Sequence, residues 1–221
     1  MRGPLARFLD VKPGEAKALA LAFGYFFFLL ATYYVLRPVR DEMGVRSGVR
    51  SLPSLFTATF IVTLLIAPVF AALVARLKRR VFVPLVYGFL LVNLLGFWAL
   101  LTGDVAVAAL QKVFFVWLTV FAVFGVSVFW SFMADIFSGE QAKRLYPTIA
   151  AGGSLGGFAG SATVTGLAAA IGPANLLLVA AGLLAVTIVC AVSIEKVSDE
   201  AAPQQASLAE AKVGGGWLAG L

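Results

Sequence analysis

Residues 33–42, Tyr-Tyr-Val-Leu-Arg-Pro-Val-Arg-Asp-Glu, hold the densest chemistry in the chain and close a long apolar run. Arg37, Arg40, Asp41 and Glu42 crowd around Pro38 within six residues. Positions three and four apart share one side of a helix, so Tyr33, Arg37, Arg40 and Asp41 would line up. A guanidinium is permanently charged, planar and suited to two-pronged capture of phosphate or carboxylate. Two of them three residues apart can reach one multiply charged anion. Pro38 withholds a donor from the carbonyl near Tyr34 and favours a kink. Tyr33 and Tyr34 can stack on a base or sugar, or mark the aromatic belt at a membrane surface. The charges themselves admit a plainer role as a helix-end anchor.

Other polar groups are scattered more thinly. Gln111 and Lys112 stand near the start of another apolar run. An intramembrane lysine is costly, so Lys112 either serves a site or snorkels to the headgroups. Asn93 lies mid-run and suits helix-to-helix hydrogen bonding or a cavity wall. Asp135 and Glu140 have Lys143, Arg144 and the basic turn 76–80 as possible partners, which would latch helix ends. The basic turn itself fits a topology signal that meets anionic lipid. Glycines 152, 156 and 160 form two successive GxxxG steps, the signature of close helix contact. No GK[ST] follows and no strand precedes, so neither a phosphate loop for nucleotide hydrolysis nor a dinucleotide fingerprint is present.

The elements that must position these groups follow from composition. Of 221 residues, 61% are hydrophobic and 13% charged, against roughly half and a quarter in soluble domains. Six apolar runs, at 16–36, 54–75, 81–101, 105–132, 148–171 and 176–194, each have about the ~20 residues that a helix needs to cross a bilayer. Backbone polar groups must be satisfied internally there, so the expectation is an all-α membrane protein with six transmembrane helices. The first run is too long for a signal-peptide core and lacks a cleavage pattern, so no cleavable leader is expected. There is no histidine, and Cys190 is the only cysteine. Imidazole-based catalysis, cysteine metal sites and disulfides are thereby excluded. No cofactor or metal is expected, and no enzyme activity. The net charge of +6 lies mostly in loops and forms no aromatic-interleaved basic patch, which argues against a nucleic-acid partner.

Lysine and arginine set the orientation. Arg2, Arg7, Lys12, Lys17, the 76–80 turn, Lys143, Arg144, Lys196 and Lys212 fall on one side, and the turns 102–104 and 172–175 hold none. By the positive-inside rule the chain is N-in and C-in. Arg37, Arg40, Arg46 and Arg50 break that rule on the outer side. Residues 1–15 read as a cytoplasmic lead-in, 16–194 as the bundle and 195–213 as a cytoplasmic linker. Residues 214–221 read as the start of a further amphipathic element, as at the opening of a second half.

The string from Tyr34 to Asp41 resembles the first-helix motif of the ATP/ADP translocases of plastids and intracellular bacteria, nucleotide transporters grouped with the major facilitator superfamily. Residues 129–135 (Phe-Trp-Ser-Phe-Met-Ala-Asp) and 140–147 (Glu-Gln-Ala-Lys-Arg-Leu-Tyr-Pro), followed by the Gly-rich helix, resemble that family's helix-four-to-five junction. The resemblance implies two six-helix bundles around a central anion site, with alternating access in a bacterial inner membrane. This chain would be the N-terminal half of that major-facilitator-type fold. Its partners would be the lipid bilayer, a nucleotide or other anionic small molecule, and a C-terminal six-helix half or a second copy. Arg40 falls where the exchangers use a basic residue on substrate, with Arg37 and Asp41 in the same motif. The fourth helix lacks the functional carboxylate of those exchangers, so a related organic anion stays open beside ATP and ADP. A non-transporting membrane sensor and a self-pairing six-helix transporter are the alternatives. The expected substrate-binding set is Arg37, Arg40, Asp41, Tyr33, Tyr34 and Lys112.

Overall fold

The computed structural model describes residues 11–12, 14–103 and 107–213. All regular elements among them are helices: α1 (Ala16–Arg46), a single 3₁₀ turn (Val49–Ser51), α2 (Leu52–Arg76), α3 (Arg79–Thr102), α4 (Val107–Ile136) and α5 (Gly139–Val213). The five α-helices are each long and apolar enough to cross a membrane, as expected of a multi-pass membrane protein. The expected lead-in at 1–15 lies largely outside the described residues, and the element at 214–221 lies wholly outside them.

Helix extends further than the apolar runs. The expected polar connection at 37–53 is helical as far as Arg46, so the charged motif rides on α1 itself. The expected inner loop at 135–147 contracts to a turn between α4 and α5, and the expected linker 195–213 continues α5. Leaving the hydrocarbon gives a helix no reason to stop: Arg, Lys, Glu, Gln and Ala are all good helix formers.

α5 does not run straight. Gly172 adopts φ 76° and ψ 163°, a conformation that side chains disfavour, and Pro173 follows it without an N–H. Gly152, Gly156 and Gly160 press on Phe23, Phe27 and Ala31 of α1 in the same order, so the arm 139–171 runs parallel to α1. The sulfur of Cys190, on the other arm, lies 3.6 Å from where a methyl on Gly24 would stand. A straight helix would carry Cys190 about 57 Å beyond Gly152. Instead both residues flank the same turn of α1, so α5 doubles back at Gly172. The returning arm is antiparallel to α3, with Arg80 3.8 Å from Glu195 at one end and Trp98 Nε1–H donating to Asn175 Oδ1 (3.2 Å) at the other.

An aromatic knot ties α1, α3 and α4 at mid-depth. Tyr25 O–H donates to Tyr87 Oη (2.9 Å), and Tyr87 O–H donates to the Gly125 carbonyl (2.8 Å). Both tyrosines are fully buried. Tyr25 meets Phe129 edge-on with centroids 4.8 Å apart, and Phe26 stacks on Phe129 at 4.3 Å. α2 is peripheral: only Leu55 and Thr59 of its residues are buried, while Phe56, Phe60, Leu64 and Leu65 are exposed. Asn93 makes its hydrogen bond within its own helix, to the Phe89 carbonyl at 2.8 Å, rather than between helices.

Candidate functional site

α1 is about 46 Å long at 1.5 Å per residue, which exceeds the ~30 Å hydrocarbon core. Its extra turns project the charged motif beyond the apolar zone while keeping it on a rigid support. The helix is continuous through Pro38. Pro38 lacks the N–H that would have met the Tyr34 carbonyl, one turn before the arginines.

Arg40 is the most enclosed charge of the motif, with its side chain 15% exposed. Its Nη2 and Nε both donate to Asp41 Oδ1, at 2.7 and 3.0 Å. Its Nη1 donates to Thr119 Oγ1 of α4 at 3.3 Å. Below it the Phe115 ring forms a seat, 5.1 Å from the guanidinium carbon, which adds a cation–π attraction. Phe115 reaches that place because Gly44 has no side chain; a methyl there would stand 2.9 Å from the ring. Phe56 of α2 meets the same ring edge-on at 5.5 Å.

Arg37 is half exposed, 4.0 Å from the other oxygen of Asp41 and 5.9 Å from the Tyr34 ring centre. Asp41 is thus shared by two guanidinium groups, and the trio carries one excess positive charge. Glu42 turns away and pairs with Arg46 at 2.6 Å. Lys112 is exposed and lies seven residues before Thr119. That spacing puts both on one stripe of α4, with Lys112 about 10 Å further toward the end that carries Arg40.

Tyr33 and Tyr34, edge-to-face at 5.3 Å, both line a cavity of about 200 Å³ with Leu29, Phe121 and Val126, between α1 and α4. Tyr34 also borders a groove of about 470 Å³ between α1 and α5, with Gly153, Ser154, Gly157 and Ser161. A methyl on Gly157 would stand 3.0 Å from the Tyr34 ring, so the glycine lets that ring lie flat against α5. Two grooves therefore meet at Tyr34, with the arginine cluster above them.

The structure brings Arg37, Arg40 and Asp41 together and sets Tyr34 under Arg37, while Tyr33 faces α4. Lys112 lies exposed on the stripe of α4 that carries Thr119, and its contribution would be a field rather than a bond. Thr119, Phe115 and Gly44 were not among the residues read from the sequence. The heptad step from Lys112 to Thr119 was available as a signal. Phe115 and Gly44 carry none, because an aromatic and a glycine in apolar helices are ordinary.

The opposite end of α1 carries a second charge cluster. Glu15 accepts from Arg144 (3.0 Å), from Gln141 Nε2 (3.1 Å) and from the Lys12 backbone N–H (2.9 Å). Burial pushes the Glu15 carboxyl up, but those hydrogen bonds and the Arg144 charge outweigh it and hold it below the usual range. Arg144, expected to pair with Asp135 or Glu140, is seen paired with Glu15. No protein-family description, curated protein or solved structure matches this chain.

Proposed function

We propose that this chain is a six-crossing half of a membrane transporter for nucleotides or a related organic anion, working by alternating access. The observation that carries the reading is the Arg40 seat. A mostly enclosed guanidinium is held by Asp41, Thr119 and Phe115 directly above grooves lined by Tyr33 and Tyr34. Such a seat is costly to build for an anchor, since an anchor needs only a solvated charge. Asp41 pairs with both arginines, and phosphate or carboxylate oxygens entering from the groove would take its place. Tyr34, beneath Arg37, would present its ring to the apolar part of the substrate, and Lys112 would add a second excess charge near the mouth.

The reversal at Gly172 supports six crossings, because each arm of α5 is long enough to span. The grooves open to the surface of the bundle, so a second bundle would supply the opposite wall, either a C-terminal six-helix half or a second copy. The parallel and antiparallel pairings of α5 with α1 and α3 are compatible with a major-facilitator-type half. The charge pattern favours N-in and C-in, and the resemblance to the translocases suggests a bacterial inner membrane. Nothing in this mechanism needs a covalent step.

The test is uptake of labelled nucleotide into liposomes carrying the full-length protein, with Arg40→Ala beside it. A charge-assisted contact contributes about 1.5–3 kcal/mol, so the variant should lose roughly 10- to 150-fold in apparent affinity. Robust uptake indifferent to Arg40→Ala would overturn the site. Absence of uptake for every nucleotide, with another organic anion carried, would keep the site and change the substrate.

A further inference from the structure

A large crevice in the bundle lies away from the arginine cluster. It holds about 670 Å³ between α2 and α3, floored by Val120 and Phe124 of α4. Every residue lining it is apolar; Ile66, Val69 and Leu73 face it from α2, and Leu85, Gly88 and Val92 from α3. It runs eight residues along each helix, about 10 Å. Its end at Leu73 is one turn from Arg76, and Lys78, Arg79 and Arg80 follow across the connection into the start of α3. The crevice therefore covers about 5 to 15 Å of depth below the basic turn, which is the depth of the acyl chains in one leaflet of a ~30 Å core.

The charge at its mouth is one-sided. Four cations stand within residues 76–80, and no acidic residue occurs between Glu42 and Asp104. Two carboxylates approach from other elements: Glu195 pairs with Arg80, and Asp135 lines a small neighbouring cavity with Leu77 and Phe82. Arg76 and Lys78 remain exposed. The start of α3 carries no side-chain cap, which leaves its positive end at the same mouth.

We infer that this crevice and its basic mouth form a binding site for one anionic phospholipid. An acyl chain lies between α2 and α3, and the phosphate is held by Arg76 and Lys78. A basic pocket between transmembrane helices is the chemistry that recognises an anionic headgroup. The lipid fills the space that leaves α2 so sparsely packed on the rest of the bundle, and so fixes the position of the helix that braces Phe115 through Phe56. The site does not depend on the transport reading.

Gly88 provides the decisive variant. A methyl there meets nothing within 4 Å, so a larger side chain starts from open space on the wall of the crevice. The full-length protein in uncharged detergent is heated with phosphatidylglycerol, phosphatidylcholine or free glycerol phosphate, and unfolding is followed by tryptophan fluorescence. Phosphatidylglycerol at about a hundredfold over its Kd should raise the midpoint by several degrees, and the other two should not. The shift should vanish in Gly88→Phe and fall to the phosphatidylcholine level in Arg76→Gln/Lys78→Gln. Val92→Trp fills the same space and replaces Gly88→Phe if that variant does not fold. Equal shifts from both phospholipids would overturn the headgroup assignment. A shift that survives crevice filling, or that glycerol phosphate reproduces, would overturn the placement of the chain.

Discussion

Gly156→Ala tests whether the glycine face of α5 sets the wall of the candidate site. A methyl at Gly156 would overlap the Phe27 carbonyl group, with the carbonyl carbon 2.8 Å away. The same addition at Gly152 or Gly160 would stand 2.8 Å from the Phe23 carbonyl oxygen or 2.6 Å from that of Ala31. Backbone oxygen cannot swing aside, so the arm 139–171 must retreat from α1 by roughly 0.5–1 Å. A gap of that size forfeits about a quarter to a half of the dispersion attraction between the surfaces. Overpacking of this kind costs about 1–3 kcal/mol. Alanine also improves on glycine in a helix by up to ~1 kcal/mol, which would mask part of the loss. Gly166→Ala supplies the correction: it lies on the same arm, and its methyl meets nothing within 4 Å. The propensity gain is common to both variants, so their difference isolates the steric part, about 1–3 kcal/mol. Reversible unfolding in mixed micelles, titrated with a denaturing detergent, measures it. If the two variants unfold at the same point, the close approach of α5 to α1 is refuted, and with it the Tyr34 wall.

Three further outcomes follow from the same geometry. Tyr87→Phe removes both hydroxyl contacts of the aromatic knot and strands the Tyr25 O–H, at a cost of about 1–3 kcal/mol; Tyr25→Phe should cost less, and the double variant little more than Tyr87→Phe, with additivity in the unfolding titration counting against the chain of bonds. Glu15 has a folded-state pKa below its ordinary 4.5, so its stabilisation is present above that value and fades as pH falls through the lower, folded one. Glu15→Gln should therefore destabilise by about 1–3 kcal/mol at neutral pH, and the gap from wild type should close in acid; a gap independent of pH would refute the pairing. Lys112→Gln should weaken apparent substrate affinity less than Arg40→Ala does and reduce its salt dependence, because an exposed charge acts through a screened field; an equal loss in the uptake assay would place Lys112 in direct contact.

The apolar runs were legible because hydrocarbon imposes a length and forbids unpaired backbone, a constraint that acts on any ~20 residues alone. Helix ends were not, since the chain from Arg37 to Arg46 remains a good helix former after the hydrocarbon has ended. Gly172-Pro173 marked the reversal in α5 that separates the two final runs. Within the site, Arg37, Arg40 and Asp41 could be grouped from spacing on one helix. Thr119, 79 residues from Arg40, could not, because nothing local specifies which helices meet. The glycine steps in α5 announced a close helix contact and left its partner open; α1 is that partner. Asn93 shows the limit of reading a polar residue by type, since its own helix satisfied it.

The aromatic knot at Tyr25 sits between the two charged ends of α1. From Tyr25 it is about 15 Å along the helix to Glu15 and about 22 Å to Arg40. A stiff rod held at such a fulcrum behaves as a lever with arms in a ratio of about two to three. Were α1 to tilt about that point, Glu15 would move against Arg144 one way, and Arg40 would move over Phe115 the other way and half as far again. Any such tilt would link the Glu15–Arg144 pair on one side of the knot to the Arg40 seat on the other through the rod itself.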